Sequence, residues 1–166
     1  IFGTEDLRQK QQDVWPLFVA LVAGVGFGSV LAGIWSNGEV ELGIVPLGAV
    51  GIAASSYLLY RAGSAVDFSA ADGVQRAIIE SCVWLFFLGI SAGLFNVPLE
   101  AFMQHRSPAK IRGTILAAEN FVTFAGILLV SLLFLIMQGV LHMSASEVFL
   151  AAGLGTIPVV VYIFVL

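Results

Sequence analysis

Five long apolar runs, separated by short polar segments, set the pattern of this chain. A helix needs roughly 20 apolar residues to cross the ~30 Å hydrocarbon core of a membrane, and each run reaches about that length. The runs are continuous, whereas outer-membrane strands alternate apolar and polar positions over about 10 residues. A helix also satisfies its own backbone hydrogen bonds in lipid. The pattern therefore predicts five transmembrane helices, at about 14–35, 42–60, 77–102, 111–141 and 146–166.

Two polar signals mark helix starts. Ser144 is followed three residues later by Glu147, the spacing of a capping box, and this predicts the start of the fifth helix. Ser107 precedes Pro108, which matches a cap residue followed by proline at the first helical position. The fourth helix is therefore expected to start as early as Pro108, with its first turns at the membrane interface.

Composition supports an all-α integral membrane protein. Hydrophobic residues make up 59% of the chain and charged residues only 11%, against about 45–50% and about 25% in soluble domains. The mean hydropathy is +1.00. The chain starts at Ile1 and stops inside an apolar run, so we interpret residues 1–166 as a fragment of one transmembrane domain in a longer protein.

Charge excludes one partner class and leaves the topology open. The net charge of −4, without a basic stripe, argues against nucleic acid as a partner. Side X, which holds Ile1, carries four Lys and Arg residues, and the opposite side Y carries three, so the positive-inside rule does not decide. The three on side Y are the denser cluster, which favours side Y as cytoplasmic.

The sequence predicts no catalytic residue, no cofactor and no metal site. It has no Walker-type loop, no HExxH and no GxSxG motif, and Cys82 is the only cysteine. The glycines from Gly24 to Gly28 lie inside an apolar run with no preceding strand, which excludes a nucleotide-binding loop. His105 and His142 fall in loops on opposite sides. We expect this chain not to be an enzyme.

Small residues recur every four positions in the first and third runs. Gly24, Gly28 and Ala32 form one stripe, and Gly89 and Gly93 form another. Such stripes let helix backbones approach closely in lipid. They predict a multi-helix bundle and not a ligand site.

Polar residues at membrane depth give the first candidate site. Asn96 and Glu100 extend the stripe of Gly89 and Gly93 on the third helix, and Pro98 lies between them. Ionisable groups at this depth are costly and usually face the bundle interior. We predict part of a substrate cavity or a gate, with a kink at Pro98. The alternative is a polar contact between helices with Glu100 at the interface.

The fourth helix gives a second group. Glu119, Asn120 and Thr123 lie within about one turn of each other. Counting from Arg112 at ~1.5 Å per residue, Glu119 lies roughly 10 Å inside the membrane, so it needs a partner. We predict that these residues line or gate a cavity. The alternative is a charge network joining the third and fourth helices.

The loop between these helices carries Gln104, Arg106, Lys110 and Arg112. Cationic loops mainly fix topology. The sharper hypotheses are a gate network on the cytoplasmic side and a contact with anionic lipid.

Several stretches carry a family resemblance, namely PLEAFMQHRSP at 98–108, RG at 112–113, AAEN at 117–120, GSVLAG at 28–33 and ELGIVPLG at 41–48. Together they resemble bacterial lysophospholipid transporters of the major facilitator superfamily. The resemblance is strongest to the form fused to a glycerophospholipid acyltransferase and an acyl-carrier-protein ligase.

The resemblance implies that the five runs are helices eight to twelve of a twelve-helix transporter, most of its C-terminal six-helix half. It implies a cytoplasmic side Y, and import or flipping of lysophospholipid across the bacterial inner membrane for reacylation. The implied partners are membrane lipid, the lysophospholipid substrate, the missing N-terminal half and fused enzyme domains. Two alternatives stay open: transport of another small solute or drug, and a non-transporting anchor of a fused acyltransferase.

Overall fold

The computed structural model describes Thr4, Leu7 and residues 14–36, 42–66 and 73–165. Within these ranges the chain forms five long α-helices and no strand, which confirms the all-α prediction. A 3₁₀ turn, Leu42–Ile44, leads into the second helix. The helices are α1 (Trp15–Ser36), α2 (Val45–Ser64), α3 (Gly73–Arg106), α4 (Arg112–Gly139) and α5 (Ala145–Val165).

Four of these helices, α1, α3, α4 and α5, are long and apolar enough to cross a membrane. Helix α2 is not among them, although its run was predicted to cross. Its sequence is rich in Gly, Ala and Ser and ends with Arg61. Ser55 and Ser56 are buried, so these small polar side chains face protein. A helix with neighbours on two sides needs less apolar surface than one surrounded by lipid, which explains the lower hydropathy of α2.

The helices pack in the order α1, α3, α2, α5. Helix α3 contacts α1 on one side and α2 on another, and α2 also contacts α5. Glycines make each approach close. A Cβ at Gly48 of α2 would lie 2.7 Å from the Phe95 backbone nitrogen of α3, and one at Gly153 of α5 would lie 3.0 Å from the Ser56 Cβ of α2. Small residues outside the predicted stripes therefore also set contacts between helices.

Helices α1 and α3 run in the same direction. Gly24 lies against Phe86 and Gly89, and Gly28, one turn later, lies against Ile90. Helix α2 runs the opposite way, since its early Gly48 meets Phe95 while the later Gly51 meets Ser91. The C-terminal ends of α1 and α3 therefore lie on one side of the bundle.

Buried apolar side chains concentrate at the other end of the bundle, the side X end. Leu17 comes from the start of α1, Leu59 from the last turns of α2, and Ala77 and Leu85 from the first half of α3. Phe149, near the start of α5, packs against this cluster. The side X half thus holds a hydrophobic core, and Asn96 and Glu100 of α3 lie in the other half.

Helix α4 stands apart from the other four. None of its residues is buried, and within the described residues it packs only lightly against α5. Large apolar side chains such as Phe121, Leu128 and Leu135 are exposed. Helix α4 therefore exposes large apolar side chains from its middle to its C-terminal end in this structure.

The fifth helix begins as predicted. The Ser144 backbone N–H donates to Glu147 Oε2 at 2.8 Å, and the Glu147 backbone N–H donates to Ser144 Oγ at 3.3 Å. This reciprocal pair is a capping box, and α5 starts at the next residue, Ala145. It satisfies backbone donors that the first turn of a helix otherwise leaves unpaired.

The predicted early start of the fourth helix is wrong. Ser107 Oγ donates to the Met103 carbonyl of α3, and the first turn of α4 has no side-chain cap. The Ile111 backbone N–H donates to the Pro108 carbonyl at 3.0 Å, which closes a turn. Residues 109–111 form this turn, and α4 starts only at Arg112.

Replacing Ser144 with alanine should lower the free energy of unfolding by about 1 kcal/mol, because the Glu147 N–H loses its acceptor. Thermal unfolding in detergent should then show a melting temperature lower by about 2–4 °C. The matched control is Ser131→Ala. Ser131 is exposed on α4 and bonds only to the Ile127 carbonyl of its own helix. Equal melting temperatures for the two variants would contradict the capping assignment.

Candidate functional site

Asn96 and Glu100 form a polar pair on α3. The Asn96 amide Nδ2 donates to Glu100 Oε1 at 2.6 Å, across one turn of the helix. Both residues are exposed. Counted back from Arg106 at ~1.5 Å per residue, Glu100 and Asn96 lie roughly 9 and 15 Å along the helix. The pair therefore lies about two to three turns before the end of α3 and is not covered by the packed helices.

The stripe predicted on α3 divides into two parts. Gly89 and Gly93 pack against α1, where a Cβ at Gly93 would lie 2.6 Å from the Ser29 backbone nitrogen. Asn96 and Glu100 continue the stripe but stay uncovered. Pro98, between them, is fully buried, and α3 stays helical through it. One helix thus combines a close-packed glycine surface with an open polar surface.

The second group lies on α4. Glu119 is half-buried, and Asn120 and Thr123 are exposed. Within the described residues, no hydrogen bond or ion pair joins Glu119 to Asn96 or Glu100. The structure therefore places the two predicted groups on different helices without bringing them into contact.

Residues 104–112, which we name the cationic turn, join α3 to α4. Gln104, Arg106, Lys110 and Arg112 are all exposed. The Arg106 guanidinium lies over the Phe102 ring, 5.6 Å from its centre. Arg112 Nη2 donates to the Ser107 carbonyl at 3.4 Å. Arg112 therefore folds back over the turn, toward the residue that follows Arg106.

Sequence reasoning missed both of these contacts. Phe102 and Arg106 are four residues apart on a helix, and side chains at this spacing are neighbours. The stacking of Arg106 on Phe102 could therefore have been predicted from the sequence. No sequence pattern predicts the hydrogen bond from Arg112 to the Ser107 carbonyl, because it depends on the conformation of the turn. Glu100 bonds to Asn96 rather than to Arg106, although only six residues separate the two charges.

The described part of the chain holds no cluster of three His, Cys, Asp or Glu residues that could bind a metal ion. What the site offers is one carboxylate held by an amide, a second carboxylate on a neighbouring helix, and a cationic edge. Groups of this chemistry are suited to hydrogen bonding and ion pairing with a charged ligand.

The chain was compared with protein-family models, with curated proteins and with solved structures. None of them matches it. The resemblance to lysophospholipid transporters therefore rests on the sequence stretches given above.

Proposed function

We propose that this chain is a segment of a secondary transporter that carries lysophospholipid across the bacterial inner membrane for reacylation. The observation that carries the proposal is the Asn96–Glu100 pair, exposed at membrane depth on a helix otherwise packed by apolar and small residues. In this proposal the chain is the C-terminal part of a major facilitator superfamily transporter, and α2 crosses the membrane with the other four helices.

The energetic argument starts from Glu100. A charged side chain at the centre of a membrane helix costs about 2.5–3.5 kcal/mol on insertion scales, so such residues face a bundle interior or a water-filled cavity. Within the described residues, the bond that Glu100 forms is the one to Asn96. Its exposed position on the bundle surface is therefore best explained by a wet cavity in the complete protein.

The chemistry of the lining favours an amphipathic substrate. The Glu100 carboxylate can pair with the ammonium of an ethanolamine headgroup, and the Asn96 amide can bond to a hydroxyl or phosphate oxygen. Helix α4 adds exposed apolar side chains and Glu119. An acyl chain needs an apolar wall with side access, which a separate α4 supplies. We assign Asn96, Glu100, Glu119, Asn120 and Thr123 to this cavity.

The fold supports a rocking mechanism. Transporters of this kind move two helical halves around a site near the bilayer midplane. The close glycine contacts between α1 and α3 make these helices one rigid unit. The proposed partners are the N-terminal half, membrane lipid and fused acyltransferase or ligase domains.

Uptake of labelled lysophosphatidylethanolamine tests the proposal. The full-length protein, expressed in a strain deleted for lysolipid import, should restore uptake and conversion to the diacyl lipid. Uptake of a polar metabolite or drug in its place would contradict the lipid substrate. No uptake of any of these, with a folded protein in the membrane, would favour the anchor alternative.

A further inference from the structure

The positive charge of this chain is gathered in one place. Between Glu100 and Glu119 there is no acidic residue, while Arg106, Lys110 and Arg112 all fall in that interval. The chain has seven Lys and Arg residues and eleven Asp and Glu residues, so its other four cations share the sequence with all eleven acids. A compact positive patch thus lies on a chain of net charge −4.

The described structure leaves this charge uncompensated. Arg106 stacks on Phe102, Arg112 bonds to a backbone carbonyl, and Lys110 is exposed. The nearest carboxylates in the sequence are Glu100, which bonds to Asn96, and Glu119, which forms no ion pair with the turn within the described residues. Glu39 and Glu41 lie on the same side of the predicted topology but outside the described residues. Each guanidinium thus has a neutral partner, the Phe102 ring for Arg106 and the Ser107 carbonyl for Arg112, and both side chains stay exposed to an anion.

The position of the cationic turn points to lipid. It joins α3 to α4, and both helices are long and apolar enough to cross a membrane. Its charges therefore lie where the hydrocarbon ends and the headgroups begin. Ile111, at the end of the turn, and the apolar residues along α4 are exposed, so acyl chains have surface to pack on beside the charges.

We propose that the cationic turn binds the headgroup phosphate of an anionic phospholipid, with Arg106 and Arg112 as the principal contacts and Lys110 beside them. Guanidinium groups pair with phosphate through several hydrogen bonds at once. A zwitterionic phospholipid carries no net charge for this patch, whereas each cation near an anionic surface favours binding by about fivefold. This lipid is bound at the edge of the protein, and the inference does not depend on which substrate is transported.

The experiment uses the full chain in nanodiscs that contain phosphatidylcholine with a minor share of phosphatidylglycerol. Electron paramagnetic resonance of spin-labelled lipids measures which lipid is held at the protein surface. The unaltered protein should select phosphatidylglycerol. Arg106→Gln with Arg112→Gln should lower that selectivity by roughly tenfold or more.

Two control proteins separate this site from general charge effects. Arg61→Gln with Arg76→Gln removes two cations from the other end of the bundle and should leave the selectivity within about twofold. Arg106→Lys with Arg112→Lys keeps the charge and should retain most of it. Thermal unfolding of each variant identifies any that fail to fold.

Three results would overturn the proposal. The first is equal selectivity in the Gln variant and the unaltered protein. The second is no preference for phosphatidylglycerol at all, as expected if carboxylates such as Glu39 and Glu41 already neutralise the turn. The third is displacement of the labelled lipid by soluble inorganic phosphate, which would assign the patch to a free anion.

Discussion

Leucine in place of Gly28 should lower the free energy of unfolding by more than about 3 kcal/mol. A Cβ at this position would lie 2.7 Å from the Ile90 Cα and 2.8 Å from its carbonyl carbon, so the clash is with the backbone of α3. Backbone cannot rotate away as a flexible side chain does. The two helices would have to separate, and their close packing would be lost. Thermal or denaturant unfolding in detergent micelles measures the change.

The chain supplies a matched control two residues away. Gly26 lies on the same helix, and a Cβ there meets nothing within 4 Å. Gly26→Leu makes the same change in intrinsic helix propensity but adds its side chain to open space. We expect its stability to stay within about 0.5 kcal/mol of the unaltered protein or to rise slightly. Equal destabilisation of both variants would show that α1 and α3 do not pack through this stripe.

Alanine in place of Glu100 should lower lysolipid uptake by more than tenfold if the polar pair binds the substrate headgroup. A site built to pair with a charged group loses most of its selectivity when its own charge is removed. The effect should appear mainly as a higher KM, because the carboxylate is assigned to binding. Uptake by the full-length protein, corrected for the amount in the membrane, gives the measurement.

Glu80 provides the control for this second prediction. It lies on the same helix near the other end, is exposed, and accepts a hydrogen bond from Trp84 Nε1 at 3.4 Å across one turn. Glu80→Ala removes an equivalent charge at the side X end and should leave uptake within about twofold.

A third variant separates charge from hydrogen bonding. Glu100→Gln keeps an acceptor for the Asn96 amide but has no charge for an ammonium group, so uptake should still be low. Full activity in this variant would assign Glu100 a purely structural bond with Asn96.

Much of this fold could be predicted because the signals are local. The length and hydropathy of an apolar run report whether a helix can cross the membrane; all five predicted runs correspond to helices, and four of these are long and apolar enough to cross. The capping box of Ser144 and Glu147 spans only four residues, so its geometry follows from sequence spacing. Gly24 and Gly28 were identified as packing residues for the same reason.

The remaining features depend on contacts between distant parts of the chain. Nothing in the small-residue stripes indicates that α1 packs against α3 and not against α2. A helix face lined by small residues can pack closely against any similar face. Ser107 can cap a following helix or end a preceding one, and the turn geometry favoured the second. In the candidate site, the i, i+4 spacing of Asn96 and Glu100 predicts that their side chains meet on one face of α3. The separation of α4 from α3 could not be predicted, because no sequence pattern reports how two helices pack.

The parallel arrangement of α1 and α3 has a consequence for how the protein is made. Because α2 lies between them in the sequence, α1 is synthesised well before α3, the helix that it packs against. Helix α1 is apolar enough to cross the membrane alone, so it can stay in lipid until α3 is present. Helix α2 is less apolar, and its buried Ser55 and Ser56 gain their protein surroundings only when later helices arrive. We therefore expect the stable insertion of α2 to depend on the synthesis of α3.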